Sequence, residues 1–372
     1  MQTEFTEDQE KFREVVARFM QAKSPSHEVR RLMATEGGYD SKVWQQMSGE
    51  IGLTGVHFPE EFGGFGYGPV ELGIVSEEMG RFLYCGPFFA SSVMAGYALL
   101  LAGSDSVKQS LLTEVVSGRV ITTLVLDDLN SPTLVGQRLR AKASILSGQA
   151  PLVLDAHNAE QLLVIGAEPE GFFGLYQVPS STAGVAIEPI EAMDPTRKLA
   201  SVIFDQVPAT KVGELDMVLL QRLWDYICMA LAHEMIGGAQ QLFESTIEYT
   251  KLRYQFGRPI GSFQGLKHRC ADLLMELEIA KAATHHAGFC LAANADDTEV
   301  EPYAASMAKA LAGDVYLKAA KEAIQMRGGI GFTWEEDTHL WFKRAKSSEV
   351  FMGTPAIHRE RMMTALEEEG GA

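Results

Sequence analysis

The chain has 372 residues, of which 46% are hydrophobic and 22% charged, with a formal net charge of −17. That length and composition suit a soluble globular protein of two or three domains with a sizeable core. The acidic balance argues against nucleic-acid binding, because phosphate contact needs clustered Lys and Arg. The apolar stretches are broken well short of the ~18 residues of a membrane span.

Three regions follow one another in chain order. Residues 1 to about 117 read as an N-terminal α-helical domain: Phe12, Val15, Val16, Phe19 and Met20 recur at spacings of three and four. A Gly/Pro-rich break runs from Phe58 to Gly66, and helical pattern resumes from Glu71 to Leu101. From about 118 to 214 the pattern changes to short β runs, clearest at Val120 to Leu126, Leu162 to Ile165, Gly174 to Val178 and Ser201 to Phe204. No helix-length pattern separates them and no Gly-x-Gly-x-x-Gly follows a strand, so an antiparallel sheet or small barrel is expected rather than a βαβ unit.

From about 215 to 372 the chain reads as helical again. Leu219, Leu223, Ile227 and Leu231 step by four along a long helix that should reach about Phe256 and stop at Gly257-Arg258-Pro259. A second helix, capped by Ser262, should run to about Ala293. A third should open at Pro302 and end at Gly328-Gly329, and a last one should start near Pro355. Short connections between antiparallel neighbours suggest a four-helix bundle. The predicted class is thus α+β and multidomain. The acidic end Glu367-Glu368-Glu369 reads as a solvated tail.

Cys85, Cys228, Cys270 and Cys290 are scattered with no Cys-x-x-Cys pair, which suits buried thiols in a reducing compartment. The nine His show no His-x-x-x-His and no mixed cluster with carboxylates, so no metal site is expected. The first residues have neither a basic region nor an apolar core, and a cytoplasmic location is expected.

Three segments carry a resemblance to the acyl-CoA dehydrogenase family. Arg253-Tyr254-Gln255-Phe256-Gly257, followed by Phe263-Gln264, resembles its Arg-x-x-Phe-Gly and Phe-Gln segment. Gln325-Met326-Arg327-Gly328-Gly329-Ile330-Gly331-Phe332 resembles its Gln-x-x-Gly-Gly-x-Gly-Phe. Pro59-Glu60-Glu61-Phe62-Gly63-Gly64, with Glu77-Glu78-Met79-Gly80, is similar near the N-terminus. Together, in family order and spacing, they cover nearly the whole chain. The resemblance implies the helical, β and helical-bundle fold of that family, an FAD cofactor, an acyl-CoA substrate and electron transfer to an electron-transferring flavoprotein.

The resemblance also implies that Arg253, Gln255 and Phe256 reach the FAD of a neighbouring subunit. A planar guanidinium offers two parallel donors to a pyrophosphate. Gln325, Gly328 and Gly329 are implied on the adenosine side, where missing side chains would admit the cofactor. Thr354 is the feature kept from the subunit's own flavin site.

Other positions depart from the family. Its catalytic Glu in a Tyr-Glu-Gly-Thr segment corresponds here to Met352 in Phe351-Met352-Gly353-Thr354, with Lys343-Arg344-Ala345-Lys346 setting the register. A thioether cannot accept the α-proton. The alternative Glu of some relatives falls near Ile227, which is apolar too. Asp225 lies about 200° round the helix from that position, and Glu349 could reach the pocket only through a remodelled turn. In the β domain, Leu126 to Pro132 and Pro151-Leu152-Val153 stand where the family's flavin-cupping turn and aromatic-Ile-Thr segment are expected.

Three readings follow. The first is a subunit of an α2β2 acyl-CoA dehydrogenase that completes a partner's FAD site, with the shortening of steroid side chains as an analogy. The second is a self-sufficient homo-oligomer (a dimer of dimers) with a relocated base, and the third a non-enzymatic scaffold. The catalytic residue itself is left open.

Overall fold

The structure, a computed structural model, describes residues 5–169, 171–293 and 303–370, and the side chains of all but 368–370. The element order is helical, then β, then helical, as the sequence predicts. By contacts the chain forms two compact units. One comprises Met1–Val29, Gly73–Tyr84 and Cys228–Ala372; the other comprises Arg30–Leu72 and Cys85–Ile227.

The second unit is built on an eight-stranded sheet. Its strands are β1 (Thr122–Val125), β2 (Leu139–Lys142), β3 (Ile145–Leu154), β4 (Gln161–Ala167), β5 (Phe173–Pro179), β6 (Val185–Ile190), β7 (Leu199–Pro208) and β8 (Thr210–Leu215). Their order is β6-β7-β3-β2-β4-β5-β8, with β1 also on β4. The pairings are antiparallel except for β1–β4 and β2–β4, which are parallel. The central runs Leu162–Ile165 are wholly buried, which explains why they read as continuous apolar stretches. Strands β2, β3, β6 and β8 carried weaker signals: β6 is mostly exposed, and β3 is interrupted where its register with β7 shifts between Ala150 and Val153.

Helices α2 (Ser26–Met33), α3 (Ser41–Gln45), α5 (Gly96–Ala102), α6 (Asp105–Val107) and α7 (Thr113–Val116) precede this sheet in chain order, α1 (Glu7–Lys23) and α4 (Pro69–Arg81) falling mainly in the other unit. Thr6 caps α1 in a reciprocal box with Gln9. Val16 and Met20 are buried there, whereas Val15 is 43% exposed, so only part of the predicted stripe faces the core.

Helix α8 (Met217–Leu252) belongs to the helical unit from Cys228 onward, and α9 (Gln264–Ala293), α10 (Ala304–Arg327), α11 (Thr338–Val350) and α12 (Pro355–Gly370) follow it there. Two corrections to the predicted ends stand out. Helix α8 stops at Leu252, and Tyr254–Gln255 (β9) pairs with Arg258–Pro259 (β10) in a tight hairpin. Ser262 does not cap α9; its hydroxyl donates to the Pro259 carbonyl within a 3₁₀ turn. Pro302 lies outside the described residues, and α11 is an additional helix. It is fixed to α8 by a buried pair, Arg344 Nη1 to Glu234 Oε1 at 3.0 Å.

Helices α4 and α8 approach backbone to backbone. A Cβ on Gly80 would sit 1.8 Å from the Glu234 carbonyl oxygen, and one on Gly237 would sit 1.7 Å from that of Glu77. Glycine at both crossing points is therefore a steric requirement. It brings the side chains of α4 directly against α8. Among the described residues, no helix is long and apolar enough to cross a membrane.

Candidate functional site

The hairpin after α8 displays the first implied motif. Phe256 (φ 53°) and Gly257 (φ 77°) form its two-residue turn, and both have the positive φ of a type I′ turn. The turn is closed by the pairs Gln255–Arg258 and Tyr254–Pro259, and the Ile260 amide donates to the Arg253 carbonyl at 2.8 Å. Arg253 and Gln255 are exposed, and Phe256 is 90% exposed. Arg258 lies 4.1 Å over the Phe263 ring. Among the described residues, the Arg253 guanidinium has no ion-pair partner.

The second motif ends α10 beside the last turns of α8. Gln325 is exposed, and Gly328 adopts φ 64°, ψ −141°, a conformation that side chains resist. A Cβ on Gly328 or Gly329 would meet open space, so nothing within the chain fills that position. The residue between them and the helix, Arg327, is the anchor that sequence reasoning missed. It is 8% exposed, donates to Thr246 Oγ1 at 2.7 Å and Ser245 Oγ at 3.1 Å, and pairs with Glu336 at 2.8 Å. Its carbonyl accepts from the Tyr249 hydroxyl at 3.4 Å. The two motif-bearing helix ends are thereby held side by side. Nothing in one sequence separates this buried arginine from an exposed one at the end of an amphipathic helix.

Around these ends lies a set of exposed apolar side chains. Leu252, Tyr254, Phe256, Ile330, Phe332 and Trp334 are 77, 63, 90, 47, 80 and 60% exposed. His339 meets the Trp334 ring edge-on and Lys343 sits over it at 4.6 Å.

The strap between α11 and α12 holds Met352, where the resemblance implies the family's base. Met352 is fully buried and adopts φ 60°, followed by Gly353 at φ 98°. His358 Nε2 donates to the Met352 carbonyl at 2.9 Å while its Nδ1 faces Ser306 Oγ at 3.2 Å. Burial first, then the charges of Lys309 and Arg361, push His358 down to about 3, so the ring is neutral. The fully buried Lys309 ammonium donates to the carbonyls of Glu349 (3.2 Å) and Gly353 (3.1 Å), where the C-terminal end of α11 favours a cation. Cys228, next in sequence to Ile227, lies 3.9 Å from the Met352 carbonyl. Glu349 is paired with Lys346 at 2.5 Å. Thr354 N-caps α12, accepting weakly from the Ile357 amide at 3.5 Å.

In the β unit, Asp127 is also committed to structure. It is 1% exposed and accepts from the amides of Gly136 (2.7 Å), Leu139 (2.9 Å) and Arg138. It organises the loop that follows Leu126. Pro151-Leu152 sits at the register shift of β3, where an amide is not needed for pairing.

A further group assembles elsewhere: Glu77, His233 and His285 come together inside the helical unit. The sequence expectation of no mixed His–carboxylate cluster fails in three dimensions, because the three residues lie on three helices far apart in the chain.

Comparison with known proteins follows the same division. The family model described as acyl-CoA dehydrogenase, N-terminal domain, matches residues 6–119, and the one described as acyl-CoA dehydrogenase, C-terminal domain, matches residues 225–367. The acyl-CoA dehydrogenase IpdE2 of Mycobacterium tuberculosis is 32% identical over 98% of this chain and 97% of its own length. Among solved structures, a variant of the Tcur3481-Tcur3483 steroid ACAD is 26% identical, with a TM-score of 0.88 over 98% of this chain and 99% of that one. The ChsE4-ChsE5 complex from Mycobacterium tuberculosis, at 24% identity and a TM-score of 0.88 over 99% of each chain, shares the fold. With both ends matched and a relative aligned over almost its whole length, the chain belongs to the acyl-CoA dehydrogenase family, FAD-dependent oxidoreductases acting on CH–CH bonds.

Proposed function

We propose that this chain is one subunit of a heteromeric α2β2 acyl-CoA dehydrogenase and completes the FAD site of an unlike partner. The observation that carries this reading is the contrast between its two sets of residues. Both family positions implied for the base, Met352 and Ile227, are apolar and fully buried, whereas Arg253 stands exposed with no ion-pair partner among the described residues.

The residues that face outward suit a flavin dinucleotide. Arg253 offers a planar pair of donors to a pyrophosphate, Gln255 and Phe256 wall it, and beside Gln325 the missing side chains of Gly328 and Gly329 leave an open approach for the adenosine end. The chemistry supplied there by bound FAD would be acceptance of a hydride from Cβ of the acyl-CoA. Removal of the α-proton then falls to a carboxylate of the partner chain. Thr354, engaged at the cap of α12, remains a candidate contact on this chain's own side. The relatives made of two named proteins, one called a steroid ACAD, support an unlike partner and a steroid-derived acyl group. We place the reaction in the cytoplasm, with an electron-transferring flavoprotein as acceptor.

The second reading is a self-sufficient homo-oligomer using Asp225 or Glu349. Glu349 is already paired with Lys346, which disfavours it. The deciding experiment measures flavin per chain and acyl-CoA oxidation for the chain alone and co-expressed with a candidate partner. Flavin and turnover only in the mixed assembly support the proposal. One FAD per chain with turnover in the chain alone overturns it.

A further inference from the structure

The buried cluster on α4, α8 and α9 has no part in the flavin reading. His285 Nε2 lies 3.1 Å from Glu77 Oε2, His233 Nδ1 lies 3.6 Å from the same oxygen, and the three donor atoms all fall within 4.8 Å of one another. Arg13 takes the other oxygen, Oε1, at 2.8 Å, so Oε2 is the atom that both imidazoles approach. Burial opposes ionisation of Glu77, but the two imidazoles and Arg13 outweigh it and hold its carboxyl well below the usual carboxylate range. Burial keeps His233 below its ordinary value, leaving a neutral ring.

His233 is the telling residue. It is 1% exposed, and neither ring nitrogen makes a hydrogen bond. Buried polar atoms are nearly always satisfied. The ring packs against α4, where a Cβ on Gly73 would come within 2.6 Å of it. It stacks on His285 with ring centres 5.5 Å apart. One carboxylate oxygen and two imidazole nitrogens thus converge at the crossing of three helices.

We propose that Glu77, His233 and His285 bind a divalent transition-metal ion, with zinc as the natural occupant, clasping α4, α8 and α9 together. Two neutral imidazoles and one carboxylate suit zinc. Bonds of about 2.0–2.2 Å set tetrahedral ligands roughly 3.3–3.5 Å apart, close to the two separations from Glu77 Oε2. The His233–His285 pair closes slightly on binding. The metal takes the unsatisfied Nδ1 of His233, and Arg13 remains on Oε1, where it compensates the carboxylate without meeting the ion. A fourth position is left for water, and the role is structural.

The test uses the full chain stripped with a chelator and then titrated with zinc and, separately, cobalt. The expected result is one equivalent per chain, with a cobalt spectrum of tetrahedral nitrogen–oxygen type and no thiolate charge-transfer band. Zinc at about a hundredfold over its Kd should shift the folding equilibrium about a hundredfold toward the native state. His285→Gln, whose amide still donates to Glu77, should fold normally and lose the uptake. His233→Gln should lose it as well. Three outcomes overturn the proposal: no uptake at millimolar zinc, uptake that persists in both variants, or a thiolate band, which would place the metal at the Cys290–His286 contact (3.3 Å) instead.

Discussion

Arg253 and Met352 stand at opposite extremes of burial, and their substitutions should separate stability from function. Arg253→Ala removes an exposed side chain without a partner, so stability should change by no more than about 0.5 kcal/mol. Flavin retained by the partner-bound assembly should nevertheless fall sharply. Absorbance per chain and a urea midpoint check both halves of that expectation. Asp225→Asn and Glu349→Gln should leave turnover of the assembly unchanged within about twofold, and a larger loss at either would point to the relocated base. Lys309→Met is a different case, because it strips two buried carbonyls of their donor. A cost of about 1–3 kcal/mol is expected, read from denaturant unfolding.

His358 and His57 add a pH dependence at the same scale. Each is buried and pushed from an ordinary 6.5 down to about 3, chiefly by burial. The folded value lies below the unfolded one, so as pH falls the unfolded chain takes up the proton first. Their contribution is complete above pH 6.5 and is lost progressively between there and about 3. In that window each contributes a slope of about 1.4 kcal/mol per pH unit. His358→Gln should therefore flatten stability against pH between 6 and 4 relative to wild type. An unchanged slope would mean that the ring is protonated in the fold.

At the scale of elements, the end of α10 depends on one residue and one conformation. Arg327→Met would detach that end from α8, leave Thr246 and Glu336 without their donor, and cost about 2–3 kcal/mol. Gly328→Ala meets no neighbouring atom, so its cost is backbone strain alone, about 1–3 kcal/mol. Both should also reduce flavin in the assembly, Arg327→Met by moving the Gly328-Gly329 turn and Gly328→Ala by refolding it. These ends were partly legible in the sequence. The Gly-Gly stop and the Phe256-Gly257 turn are local signals, whereas the Arg327 clamp joins residues some eighty positions apart.

For the whole molecule, Leu252, Tyr254, Phe256, Ile330, Phe332 and Trp334 together expose apolar surface of the kind that marks an interaction site. Its burial against another chain should make assembly concentration-dependent. Phe332→Asp should shift light-scattering mass toward the single chain while leaving its far-UV dichroism intact. A mass unchanged by that substitution would separate the patch from assembly.

What the amino-acid order determined by itself is what short-range chemistry controls. The 3.6-residue stripes marked the helices, and glycines and prolines marked their ends. The three motifs marked the family, and Met352 stands where the resemblance implies the usual base. The tertiary structure decided what depends on residues distant in the chain. It made the pairing of β1 with β4 parallel, spent Asp127 on its own loop, turned Arg327 from a surface charge into a buried clamp, and gathered Glu77, His233 and His285 around one oxygen. Side-chain period and turn residues act over a few bonds and can be read along the sequence. Burial, pairing partner and convergence of ligands are set by which helices and strands cross, and at the crossing of α4 and α8 that was decided by two glycines whose missing side chains let the backbones touch.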